Sequence, residues 1–174
     1  TTDPVWSFQT GGRIDAPPTI YKGLCLFGSH DGYLYCLKAS DGEPVWKTRL
    51  APGNRLVSAY ERVESYWPVI GAVTATDNMA CAMTGRYFTF AGGAFVYGVD
   101  LTSGEVKWVQ QDKINGNTTA LDAAGNVYPT QQFGLQGGNS VRMPQVARDP
   151  TTGTHAASLS RGQFLQYDAF PHNW

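Results

Sequence analysis

Between residues 16 and 50 the chain alternates short runs of β-branched and aromatic residues with tight polar steps. The runs are APPTIY (16–21), LCLFG (24–28), YLYCLK (33–38) and PVWKTRL (44–50), and the steps are KG, SHDG and ASDG. Runs of this length and composition suit strands. Asp-Gly steps suit tight turns, because glycine reaches positive φ without a Cβ clash. The pattern predicts a four-stranded antiparallel meander. Apolar residues fall on both faces of each strand, as in a sheet packed on both sides and unlike one with a wetted face. Folding 24–28 onto 33–38 around SHDG sets Gly28 opposite Tyr33 and Cys25 opposite Cys36. That is a place for a cross-strand disulfide in an oxidising compartment, although small buried thiols need no such role.

The same pattern then recurs. KASDGEPVW (Lys38 to Trp46) aligns with DLTSGEVKW (Asp100 to Trp108), and a weaker copy, DPTTGTHAA, runs from Asp149 to Ala157. The turn glycines Gly42, Gly104 and Gly153 correspond, and the third copy has alanine where the others have tryptophan. The opening DPVW places Trp6 after the same Pro-Val pair that precedes Trp46. A unit of about 40 residues with insertions is the sequence signature of a repeat architecture. Stacked four-stranded sheets are propeller blades, and a tryptophan at one height in each gives a large flat ring to pack on the next. The expected organisation is therefore 1–14 as the last strand of a preceding blade, 15–50 as a blade and 51–110 as a blade with inserted loops. Residues 111–159 form a degenerate blade, and 160–174 are a tail or the start of another.

Composition agrees with an all-β reading. The 174 residues include 20 glycines, 10 prolines and 22 aromatic residues, with only 16% charged, which favours many short strands over long charged helices. A net charge of −1 gives no footprint for nucleic acid. No apolar run approaches the roughly 20 residues that cross a bilayer. The three cysteines, Cys25, Cys36 and Cys81, fit neither a disulfide framework nor a C-x-x-C motif.

The pattern A/D-x-x-T/D-G-x-x-x-W after an LYCL or VYGV strand resembles the tryptophan-docking repeat of the pyrroloquinoline-quinone-like β-propellers, well over 1–108 and partly over 109–159. NRLVSAYERVESYWPVIGAV, then AMTGR and GGAFVYGVD, resemble large environmental-bacterial members of that family whose activity is unassigned. The resemblance implies a six- to eight-bladed ring exported to the periplasm or cell surface. Propellers close with at least about four blades, so this chain is expected to be a partial propeller. It would be a fragment of such a ring or need a completing subunit. Enzymes of the family add an adjacent Cys-Cys pair and calcium ligands beside the quinone. No two cysteines adjoin here, so no such residues carry over, and no cofactor or metal is expected.

Function in a propeller collects on the face where inter-strand and inter-blade loops emerge. The long connections there, Ala51 to Trp67, Thr84 to Ala94 and Pro129 to Met143, contribute Arg55, Arg62, Glu64, Tyr66, Trp67, Arg86, Tyr87, Phe88 and Arg142. Arginines beside aromatics suit an anionic or sugar-like ligand, or a protein. Equally, the aromatics can cover the blades while the arginines pair with Glu61 and Glu64. Ser29, His30 and Asp31 hold the residue types of a hydrolytic triad, but consecutive turn residues cannot form its ordered hydrogen bonds. His30, His155 and His172 lie at places in the fold that cannot converge on a metal. The reading reached is a non-catalytic propeller segment acting as scaffold or interaction module. The alternatives are part of a quinone-dependent dehydrogenase using pyrroloquinoline quinone and calcium, and a carbohydrate-binding or hydrolytic propeller.

Overall fold

The computed structural model describes residues 4–59, 61–86, 94–112, 118–121, 125–130 and 146–158. Among them there is no helix, and the strands form three antiparallel meanders in the order in which they leave the chain. The first contains β1 (Thr19–Tyr21), β2 (Leu24–Gly28), β3 (Tyr33–Lys38) and β4 (Pro44–Arg49). A separate hairpin follows, β5 (Leu56–Ala59) with β6 (Arg62–Ser65). The second meander contains β7 (Thr74–Ala75), β8 (Met79–Thr84), β9 (Ala94–Asp100) and β10 (Val106–Asp112). The third contains β11 (Thr118–Leu121), β12 (Val127–Thr130), β13 (Val146–Arg148) and β14 (His155–Ser158). The first strand is shorter than the apolar run suggests. Pro17 and Pro18 have no N–H to give to a ladder, so pairing starts at Thr19.

Both faces of the first two sheets are buried. Leu26, Leu34, Cys36 and Trp46 of the first pack against Ala75, Ala80, Ala82, Tyr97 and Val99 of the second. The opposite face of the second, with Met79, Cys81, Met83, Val96 and Trp108, meets Val127 of the third. The remaining face of the first sheet, Cys25, Phe27, Tyr35 and Leu37, is covered by Trp6 and Phe8. There the rings of Phe27 and Tyr35 stack at 5.5 Å, and Phe8 meets both edge-on. No helix among the described residues is long and apolar enough to cross a membrane.

The repeated tryptophan joins consecutive sheets. Trp6 Nε1 donates to Ala39 O at 3.0 Å, Trp46 Nε1 to Leu101 O at 2.9 Å, and Trp108 Nε1 to Pro150 O at 2.8 Å. Each acceptor lies three residues before a turn glycine, and each indole lies flat over that glycine. A Cβ on Gly42, Gly104 or Gly153 would approach the indole carbons to 2.6, 2.8 or 2.6 Å. These glycines also have φ of +75°, +74° and +71°, so both the turn and the ring exclude a side chain. The turn is the same in all three sheets: Gly42 N–H donates to Lys38 O, Gly104 N–H to Asp100 O and Gly153 N–H to Asp149 O, at 2.8 to 2.9 Å.

A bulge precedes each tryptophan position. The pairing slips by one residue between Cys36 and Leu37, between Val106 and Trp108, and between Ala147 and Arg148. This leaves Val45, Lys107 and Ala156 without a partner. An extra residue in an outer strand increases local twist and re-aims the next side chain, which in the first two sheets is the indole that crosses to its neighbour.

The register of β2 and β3 corrects one expectation. Gly28 faces Leu34, Leu26 faces Cys36 and Cys25 faces Leu37. Ser29 N–H donates to Tyr33 O at 3.0 Å, and Gly32 takes φ +88°. The loop is therefore the three-residue kind with glycine in the left-handed position, not a four-residue one. That single residue turns Cys25 and Cys36 to opposite faces of the sheet. Cys25, Cys36 and Cys81 are all free thiols, so of the two readings open for Cys25 and Cys36, a cross-strand disulfide or small buried packing groups, the structure has the second. Burial pushes the Cys36 thiol up to about 11 and the Cys81 thiol up to about 12, which suits inert packing groups.

Candidate functional site

The connection between the first and second sheets contains the β5–β6 hairpin, and the predicted surface residues divide there into two groups. Along β6 the outer half, Arg62 and Val63, is exposed and the inner half, Glu64 and Ser65, is buried. Glu64 is only 2% exposed, so it is not part of an open binding surface as expected from sequence. A carboxylate out of water needs partners, and Glu64 Oε2 has two, Arg86 Nη2 at 2.8 Å and His30 Nδ1 at 2.9 Å. Arg13 Nε lies 3.6 Å from Oε1. The other ring nitrogen of His30, Nε2, is 2.7 Å from Asp15 Oδ2, and Asp15 pairs with Arg13 at 3.0 Å. Burial pushes the Glu64 carboxyl up, but hydrogen bonds from Arg86 and His30 and the charges of His30 and Arg13 outweigh it. The group lies below its ordinary value.

This cluster ties four segments together: the stretch before β1, the β2–β3 loop, β6, and the residues after β8. Backbone bonds reinforce it, from His30 N–H to Arg13 O at 2.9 Å and from Ser65 N–H to His30 O at 2.8 Å. The SHDG segment is thus a turn, as its spacing implied, but its histidine is buried and hydrogen-bonded to both Glu64 and Asp15. The one sequence signal for this contact is Gly11-Gly12. A Cβ on Gly12 would lie 2.5 Å from Asp31 N, so only glycine lets the segment carrying Arg13 and Asp15 lie against the loop.

In the second group Arg55 is exposed and Tyr66 and Trp67 are half-buried. The Arg55 guanidinium lies 4.2 Å from the centroid of the Tyr66 ring, and Tyr66 meets Trp67 edge-on at 5.0 Å. Trp67 is held from behind, since a Cβ on Gly53 would reach its ring at 3.1 Å. Beside Arg55 is a concavity of about 310 Å³ bounded by Asp31, Tyr33, Arg49, Asn54, Arg55 and Leu56. The Arg49 guanidinium donates to Gly53 O across its rim. Leu56 and Val63, on the outer face of the hairpin, are 62% and 67% exposed. Arg62 borders a different depression, with Arg13 and Glu64. Tyr87, Phe88 and Arg142 lie outside the described residues, as does His172.

Among the described residues no group of three His, Cys, Asp or Glu side chains is arranged to hold a metal ion. Asp15 and Glu64 are bridged by His30 and Arg13.

Comparison with known proteins follows the fold. A family profile described as "Outer membrane protein assembly factor BamB" matches residues 1–162. Among solved structures, BamB from Moraxella catarrhalis superposes with a TM-score of 0.62 at 15% identity, over 89% of this chain and 39% of that one. The quinohemoprotein alcohol dehydrogenase from Comamonas testosteroni gives 0.55 at 18% identity, over 82% of this chain and 26% of its own. A europium-containing methanol dehydrogenase gives 0.54 at 17%, over 79% and 30%. No curated protein gives a significant match. The chain spans well under half the length of these structures, and at such identities the likeness is one of fold. Three stacked meanders joined by indoles are accordingly part of a propeller ring, and the chain belongs to the BamB-type family of pyrroloquinoline-quinone-like β-propellers.

Proposed function

We propose that this chain is a non-catalytic propeller segment of an extracytoplasmic bacterial protein, serving as a scaffold and protein-interaction module. The observation that carries the reading is the β5–β6 hairpin. It is inserted between two blades, anchored from below by Glu64, and presents Leu56, Val63 and the Arg55–Tyr66 stack outward. Rigid anchoring of an exposed apolar and aromatic surface is what a docking site requires, because little ordering entropy remains to be lost on binding. The family description, an assembly factor, is consistent with a role in holding other proteins.

A photo-crosslinking residue in place of Leu56, in the intact protein in its own cells, tests this. Discrete protein adducts are expected at Leu56 and not at Glu43, which is exposed on a blade turn. Equal labelling at both positions, or none at Leu56, would count against a docking surface here.

A second reading, part of a quinone-dependent dehydrogenase, draws on the fold likeness to two alcohol-oxidising enzymes. Addition of pyrroloquinoline quinone and calcium to the intact protein separates the readings, since a ligand that binds the native state raises Tm. The scaffold reading expects no rise.

A further inference from the structure

The arginines around the hairpin differ in one respect that bears on what docks there. Arg13 and Arg86 are paired with carboxylates. Arg49 and Arg55, which border the 310 Å³ concavity, have no acidic partner among the described residues. Each guanidinium is instead oriented by a neutral group, Arg49 by the carbonyl of Gly53 and Arg55 by the face of Tyr66. The one carboxylate in the concavity, Asp31, is already engaged. Its Oδ1 accepts from Tyr33 N–H at 3.1 Å, and its Oδ2 accepts from Gly11 N–H at 3.0 Å and from Tyr35 O–H at 2.5 Å. Two positioned guanidinia with no carboxylate paired to them among the described residues can hold one from outside, because the planar fork binds carboxylate in two-point fashion. Leu56 adjoins them, and along the outer edge of β5 the backbone N–H groups of Leu56 and Ser58 make no backbone hydrogen bond to another described segment.

The geometry points to an acidic, extended segment of a partner protein as the occupant of this groove, with a carboxylate between Arg49 and Arg55 and an apolar side chain on Leu56. This inference rests on the interaction-module reading and names the chemistry of the partner. Arg49 and Arg55 supply the charge complementarity, Leu56 supplies apolar contact, and the outer edge of β5, unpaired among the described residues, favours an extended backbone.

Fluorescence polarisation of a labelled peptide alternating Glu and Leu, titrated with the intact protein, tests it. Saturable binding is expected, weakened at least about ten-fold by Arg55→Glu or Arg49→Glu and by changing Glu to Gln in the peptide. Rising salt should weaken it further. Lys107→Glu, the same charge change on the exposed side of β10, should leave it unaltered. Binding of oligogalacturonate in place of the peptide would overturn the proposal in favour of a carboxylated glycan. Equal binding of the Glu and Gln peptides, or no binding of either, would also overturn it. Adducts at Leu56 in cells with no acidic-peptide binding would leave the interaction module standing and refute only its acidic partner; loss of both would refute the two together.

Discussion

Trp46 and Glu64 are both buried at the seam between the first two blades, and they close it by opposite means. The indole needs one hydrogen bond, to Leu101 O at 2.9 Å, and otherwise only a glycine to lie on. The carboxylate needs Arg86, His30 and the nearby Arg13, drawn from three separate segments. The first joint is modular and recurs at Trp6 and Trp108. The second occurs once among the described residues, where the inserted hairpin is fixed to the ring. Repetition selects for fasteners that require little of their neighbours. A single insertion can be secured by a fastener that depends on several of them at once.

Removing the modular joint should cost most. Trp46→Ala in the intact protein is expected to lose about 3–5 kcal/mol of unfolding free energy, the range for deleting a buried aromatic, as measured by urea denaturation. Trp46→Phe should recover part of that loss, since a ring remains while the N–H to Leu101 is gone. Gly104→Ala attacks the same joint from the other side. It forces a Cβ to 2.8 Å from the Trp46 ring at φ +74° and is expected to cost about 1–3 kcal/mol. If Gly104→Ala were neutral, the close seating of indole on glycine would not matter to stability.

The ionic joint should show a smaller effect with a distinct signature. Glu64→Gln keeps the shape and removes the charge that Arg86 and His30 neutralise, for an expected loss of about 1–3 kcal/mol near neutral pH. The folded carboxyl titrates below its ordinary value. Its contribution is therefore full above the unfolded value, near pH 4.3, and disappears as pH falls through the lower folded value. The wild-type and Glu64→Gln curves of stability against pH should converge on acidification. Parallel curves across the acid range would remove Glu64 from the account.

The smallest effects are expected away from both joints. Arg55→Glu should change stability by no more than about 0.5 kcal/mol, as for other exposed positions. Titration of unfolded protein prepared without reductant should detect Cys25, Cys36 and Cys81 as three thiols, with no change in Tm on adding reductant.

How far each joint was legible in the sequence follows from the same contrast. Gly42 and Trp46 stand four residues apart, and the contact each makes is repeated with the same residue types at Gly104 and Trp108, so a pattern along the chain exposes a pattern in space. His30 and Glu64 meet once, across 34 residues, and no periodicity marks the meeting. The close approach at Gly12 is a property of the fold, and a Gly-Gly pair in the sequence does not say what it lies against. The cysteine register failed for a still more local reason. Four- and three-residue loops both suit SHDG, and one residue decides which face of a sheet a thiol occupies. On the surface, Arg55, Tyr66 and Trp67 lie together because they flank a single hairpin. Arg49 was overlooked because it sits at the end of a strand that otherwise belongs to the blade.

The indole joints also have a direction. Each tryptophan sits on the last strand of one sheet or just ahead of the first sheet, and the glycine that receives it always comes later in the chain. During synthesis from the N-terminus, Trp46 is made well before Leu101 and Gly104, so a nascent blade carries an unseated aromatic until most of its successor has emerged. Each sheet is locked retroactively by the one behind it, and a ribosome that stalls within β8 would leave the preceding blade complete in its strands but unfastened.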